Sequence, residues 1–206
     1  MTDFVFATCL PGSKAWLQRE LARTRPDLRP AWSRPGVMTF RSDAELADPE
    51  PRAVFARAHG RSLGFAKSTA EIVELARPID APLRVHVFAR DPVDPDRTPI
   101  DDAPVDAMRD ELLALLGDRA LHDPRPQLGD RVLDVVIAAG EPSLIGWHAH
   151  DHDRSAAPGG GRRIAAPDDT PSRAFAKLEE ALVWSGLPLA DGDVVVEIGA
   201  APGGAA

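Results

Sequence analysis

Lys177 is one of only three lysines in a chain that carries 21 arginines. It lies in Pro171-Ser172-Arg173-Ala174-Phe175-Ala176-Lys177-Leu178-Glu179-Glu180, ahead of Val194-Val195-Val196-Glu197-Ile198 and of Gly199-Ala200-Ala201-Pro202-Gly203-Gly204. A guanidinium keeps its proton at working pH and an amine can lose it, so a position that retains lysine against this bias is a candidate for proton chemistry. Small residues let a backbone approach a ligand closely, and glycine reaches positive φ at little cost. The turn lacks the Lys-Ser/Thr of a phosphate-binding loop, and Ala201 stands where a dinucleotide fingerprint needs its second glycine. Pro202 stiffens it further. An apolar strand ending in an acidic residue, then such a turn, suits the methionine and ribose parts of S-adenosylmethionine. Spacing alone leaves two other readings open: a structural strand–helix turn, and a solvated Lys177 paired with Glu180.

These residues need elements to hold them. Thr170 or Ser172 is a helix cap, Gly186 lies near the helix end, and Val194–Ile198 reads as a buried strand. Upstream, Phe4–Cys9 is β-prone, and Ser13 precedes an amphipathic helix over Lys14–Arg25 with Trp16, Leu17 and Leu21 inward. Gly36–Arg41 reads as a second strand. Val54–Arg57 and Ser62–Lys67 flank His59-Gly60 as a hairpin or strand–turn–strand. Thr69 is the expected cap of a helix over Ala70–Arg77. This order predicts a ferredoxin-like α+β module over 1–78. Pro78 to Pro82 marks a boundary. Leu83–Ala89 is a strand, and Pro104–Leu116 a helix with Val105, Met108, Leu112 and Leu115 on one face. Arg131–Ala138 and Ser143–Ala149 form a hairpin about Ala139-Gly140-Glu141-Pro142. They give a second small α+β unit over 79–165, and Ala156–Gly161 reads as a flexible Gly-rich linker.

Trp147-His148-Ala149-His150-Asp151-His152-Asp153 raises the question of a metal. In a strand the three histidines share one face at spacings of roughly 6.5–7 Å, long for three ligands on one ion. The expectation is therefore an exposed polar strand end, with no metal residue assigned. The acidic loop Asp91–Asp102 matches no calcium-loop pattern. Trp16 and Trp184 fall on apolar helix faces, where core packing is the default.

The net charge of −8 is unevenly spread. Residues 1–78 hold 12 Lys and Arg against 9 Asp and Glu, while 79–206 hold 12 against 23. A polyanion would therefore meet the N-terminal part. Cys9 is the only cysteine, which excludes an intrachain disulfide and fits a cytoplasmic setting. The sequence has no apolar run of ~18 residues that would span a bilayer, and its start lacks the features of a signal peptide.

Ser-Arg-Ala-x-x-Lys-Leu-x-Glu, a hydrophobic strand and Gly-Ala-Ala-Pro-Gly-Gly together resemble the FtsJ-like ribose 2′-O-methyltransferases. Pro171-Ser172-Arg173 followed by Lys177-Leu178-Glu179-Glu180-Ala181 resembles the RlmM-type members, which act on a cytidine of large-subunit (23S-type) ribosomal RNA. Leu10-Pro11-Gly12, Phe55-Ala56-Arg57 and Gly146 sit where that family has similar features. The resemblance implies a ferredoxin-like domain (1–78), a THUMP-like α/β RNA-binding domain (79–165) and the first helix and strand of a Rossmann-like methyltransferase domain (166–206). It implies S-adenosylmethionine as cofactor, ribosomal RNA as partner, no obligate protein partner and no membrane. It implies Lys177 as the catalytic residue, opening a Lys-Asp-Lys-Glu set. It implies Ser172, Glu197, Gly199, Ala200, Ala201, Pro202, Gly203 and Gly204 as the cofactor-binding residues. Ala201 stands where the family often has Cys, and Glu197 where Asp is common. The later Asp, Lys and Glu are absent, so the chain is expected to be part of a longer protein and inactive alone. A non-catalytic RNA-binding module and a histidine-centred metal enzyme are the alternatives.

Overall fold

The computed structural model describes residues 3–42, 51–91, 103–161, 174–185, 187–194 and 196. The chain divides into two units, Met1–Gly161 and Arg162–Ala206. The boundary expected between residues 78 and 79 lies inside the first of them.

That unit is a mixed α/β fold around one eight-stranded sheet. Its strands are β1 (Asp3–Thr8), β2 (Arg29–Arg34), β3 (Val37–Ser42), β4 (His59–Ala66), β5 (Leu83–Ala89), β6 (Ala120–Leu121), β7 (Arg131–Ile137) and β8 (Ser143–Ala149). They run in the order β2-β3-β1-β4-β8-β7-β5-β6. The pairings are antiparallel except those of β5 with β6 and with β7. Parallel strands need a crossover, and α3 (Ala103–Leu116) lies between β5 and β6 in the chain.

Each half of the sheet buries an apolar face under helices. α1 (Lys14–Thr24) lays Leu17 and Leu21 on Val5, Ala7, Met38 and Phe40. α2 (Thr69–Ala76) and α3 lay Ile72, Ala76, Leu112, Leu113 and Leu116 on Val85, Val87, Leu133, Val135 and Ile145. Strand residues alternate between faces, so Phe6, Val136 and Leu144 form a third cluster with Val37, against which Trp32 and Phe88 pack. α2 starts one residue earlier than expected, capped by Ser68, whose hydroxyl accepts from the Glu71 amide at 3.3 Å. Glu71 in turn accepts from the Lys67 amide at 2.7 Å. These bonds satisfy amides at the helix start.

Several expectations are corrected. Trp16 is 54% exposed and stacks on Phe55 at 6.2 Å, because it lies beside the stripe defined by Leu17 and Leu21. Leu115 is likewise exposed, and Leu113 and Leu116 take the inward positions. Residues 54–57 form no strand, and His59-Gly60 is the start of β4 where a turn was expected. β2, an edge strand that tolerates Pro30, was not expected. Ala156–Gly161 is a docked segment containing one 3-10 turn, Pro158–Gly160. A Cβ on Gly159 would come within 2.7 Å of the Phe88 ring, so this stretch lies tight on the sheet.

In the second unit α4 spans Ala174–Ser185. Val194 and Val196 belong to no strand and are 93% and 81% exposed. A parallel strand needs a neighbour to pair with and cover on both faces, and no strand is paired with them among the described residues.

The centre of the sheet has no room at Gly146. A Cβ there would collide with the Phe6 ring and lie 2.6 Å from the Arg61 carbonyl. Gly146→Ala should therefore cost about 1–3 kcal/mol as overpacking. Gly12→Ala, with nothing within 4 Å, should stay within about 0.5 kcal/mol. Urea unfolding of the two variants checks this, and equal midpoints would contradict it.

Candidate functional site

β5 reads Leu-Arg-Val-His-Val-Phe-Ala and β7 reads Arg-Val-Leu-Asp-Val-Val-Ile. Val85, Val87, Leu133 and Val135 point to α2 and α3, so His86 and Asp134 between them point to the other face. Register pairs His86 directly with Asp134. In the β7–β8 hairpin Asp134 faces Gly146, and His148 is two residues further along the same face. Gly146 has no side chain to intervene, and the His148 Nδ1–H donates to Asp134 Oδ2 at 2.6 Å. Asp134 is 1% exposed, His86 2% and His148 6%. The expectation of an exposed histidine strand end is therefore wrong for His148. β8 ends at Ala149, so His150 and His152 lie beyond it; His150 is half-buried and His152 exposed.

The remaining polar atoms here are arranged unevenly. His86 Nε2 lies 2.8 Å from the Pro124 carbonyl. His148 Nε2 and His150 Nδ1 are buried without a hydrogen-bond partner among the described residues. His59 lies at the start of β4, and its carbonyl accepts from Arg154. A pocket of about 330 Å³ is lined by His59, His86, Asp134 and His148. Segments 52–58 and 151–160 supply the rest of its lining, together with Glu20 of α1. Glu20 holds the first segment by accepting from the Val54 and Phe55 amides at 2.9 and 3.2 Å.

Burial separates the imidazoles by charge state. Desolvation pushes His59 down to about 4, with the nearby His148 charge acting in the same direction. Burial also lowers His86 and His150. Burial alone would lower His148 as well, but the Asp134 charge, the Asp134 hydrogen bond and Asp151 together outweigh it and raise its pKa. The cluster thus favours one proton, on His148, against a buried carboxylate. Among the described residues no group of three or more His, Cys, Asp or Glu side chains is placed to hold a metal ion.

Lys177, the catalytic residue expected from sequence, is exposed on α4. Ser172, Glu197, Gly199, Ala200, Ala201, Pro202, Gly203 and Gly204 lie outside the described residues, as do the cap Thr170 and the side chain of Trp184. The sequence reading missed the Asp134–His148 pair. Its signal was there: a single carboxylate and a single imidazole, each embedded in an otherwise apolar strand.

Stability should peak near pH 6.5. His59, His86 and His150 bind protons less readily folded than unfolded, so stability falls as pH drops below 6.5, His59 alone contributing about 3 kcal/mol by pH 4. His148 is shifted the other way, so its contribution is present below 6.5 and is lost as pH rises through its raised value. Urea midpoints between pH 4 and 8 test the peak. Asp134→Asn should bring His148 below 6.5, read by imidazole NMR. It should also cost about 3 kcal/mol at pH values where His148 is charged, because a buried imidazolium is then left without its carboxylate.

No known family profile matches the chain, and no curated protein does. A solved structure described as a possible methylase from Clostridium difficile 630 is similar at a TM-score of 0.45 and 15% identity, over 71% of this chain and 41% of that one. The chain thus spans less than half of that protein's length.

Proposed function

We propose that the chain serves S-adenosylmethionine-dependent 2′-O-ribose methylation of a cytidine in large-subunit ribosomal RNA. The observation that carries this reading is the sequence run from Ser172 through Lys177 to Glu197 and Gly199–Gly204. The exposure of Lys177 on α4 is compatible with it, since a ribose hydroxyl must reach the amine from solvent.

S-adenosylmethionine, when bound, supplies an electrophilic methyl group. Lys177 would contact and orient the attacking 2′-hydroxyl and help to take up its proton. Ser172 and Gly199 to Gly204 would hold the cofactor, with Glu197 supporting the turn, as the resemblance implies. The ferredoxin-like and THUMP-like parts over 1–78 and 79–165 grip folded RNA through phosphate and shape. The surplus of basic residues over 1–78 favours that part as the phosphate-facing surface.

The complete gene product, incubated with labelled S-adenosylmethionine and large-subunit ribosomal RNA, should label one cytidine at its 2′-oxygen. Lys177→Ala should lower the rate by about 10²–10⁴-fold with cofactor affinity nearly unchanged. Undiminished transfer by that variant removes the role given to Lys177. RNA binding with no transfer by the wild type replaces the enzyme with a non-catalytic RNA-binding module.

A further inference from the structure

The pocket over Asp134 and His148 is not used by the methyl-transfer chemistry, and its polar groups restrict what can enter it. Three guanidiniums line it, and each already faces a carboxylate. Arg52 lies 3.5 Å from Asp153 and 4.0 Å from Asp151. Arg154 lies 3.6 Å from Asp151. Arg57 is bonded to Asp91. Asp151, Asp153 and Glu20 themselves line the cavity. Among the described residues a phosphate would find no unshared cation in this lining and several carboxylates to repel it.

The floor makes the opposite kind of demand. Asp134 holds the His148 Nδ1–H at 2.6 Å, which leaves Nε2 on the far side of the ring as the free polar atom. That atom is buried and has no partner among the described residues. With the dyad protonated it is a buried N–H donor, a group that native structures pair in the large majority of cases. The walls are made of small apolar side chains, Ala53, Ala56, Ala58 and Ala157. Gly160 adds bare backbone at a point where a Cβ would strike the Arg57 carbonyl. The volume of about 330 Å³ is at the small end of ligand pockets, nucleoside-sized and far short of a duplex.

We propose that this pocket takes a neutral nucleobase from an unpaired stretch of RNA, with an acceptor atom of the base bonded to His148 Nε2–H. The choice of a nucleobase over another neutral heterocycle rests on the RNA reading given above. The pocket supplies what an extruded base requires: a donor for its edge at His148, small apolar walls, and cations already shared with carboxylates. The carboxylates keep the sugar-phosphate chain outside. His148 is then a positioning residue for RNA, a role distinct from that of Lys177.

The test is a titration of the ¹⁵N-labelled full chain with cytidine, and separately with inorganic phosphate, watching the His148 imidazole nitrogens. Cytidine should shift Nε2 saturably, phosphate at equal concentration should not, and His148→Ala should weaken cytidine binding by at least about tenfold. The wild-type readout needs no variant, so it stands if that substitution prevents folding. A shift with phosphate and not cytidine makes this an anion site and overturns the proposal, as does no shift with either. A parallel gel shift with a large-subunit ribosomal RNA fragment separates the two claims. RNA binding without a cytidine response sinks the pocket and leaves the RNA reading standing. A cytidine response without RNA binding keeps a nucleoside pocket and sinks the RNA reading.

Discussion

Where β4 meets β8 in the middle of the sheet, two successive contacts leave no space for a side chain. At Gly60 an added Cβ would run into the Trp147 carbonyl, and at Gly146 into the Phe6 ring. Phe6 is fully buried and sits across this join from β1. The register Arg61↔Trp147 and Ser62↔Gly146 follows from the closeness these glycines allow. His59 is the residue before Gly60, and His148 is two residues beyond Gly146. The spacing of the two imidazoles is therefore set by backbone packing, and so is the pocket they line. Larger residues at either glycine would part the strands and the site together.

The polar cluster adds a second condition. Burying a carboxylate and an imidazolium costs each several kcal/mol of hydration, and their attraction returns it only with good geometry. Here β7 and β8 provide that geometry because the hairpin fixes Asp134 and His148 along one face. The neighbouring imidazoles then stay neutral, since a second proton would meet both desolvation and the charge already present. The cluster is thus better explained as a device of specificity than of stability: a hydrophobic set of the same volume would satisfy the core at lower cost.

Sequence was informative where local and tertiary preferences agree. β5, α3 and the β7–β8 hairpin show clear alternation or helical period and lie where expected. β2 escaped because Arg29-Pro30-Ala31-Trp32-Ser33-Arg34 is polar and holds a proline, features that only an edge position excuses. His59-Gly60 looks like a turn because glycine usually marks one, whereas here it marks a close approach of two backbones. Val54 and Phe55 look like strand residues, yet their amides are bonded to Glu20, a partner 34 and 35 residues away. No local pattern encodes that contact. The dyad was half legible: the histidines were visible as a group, but which of them meets Asp134 depends on hairpin register.

Glu20 joins two parts of the unit that are otherwise unlike. Its carboxylate accepts from two consecutive amides of the segment that walls the pocket, while its own helix is anchored to the sheet by Leu17 and Leu21. Trp16, one turn earlier on α1, adds a ring stack on Phe55 of the same segment. Helix and wall are therefore tied by a carboxylate and a ring, so the seat of α1 on the sheet fixes where one side of the cavity stands.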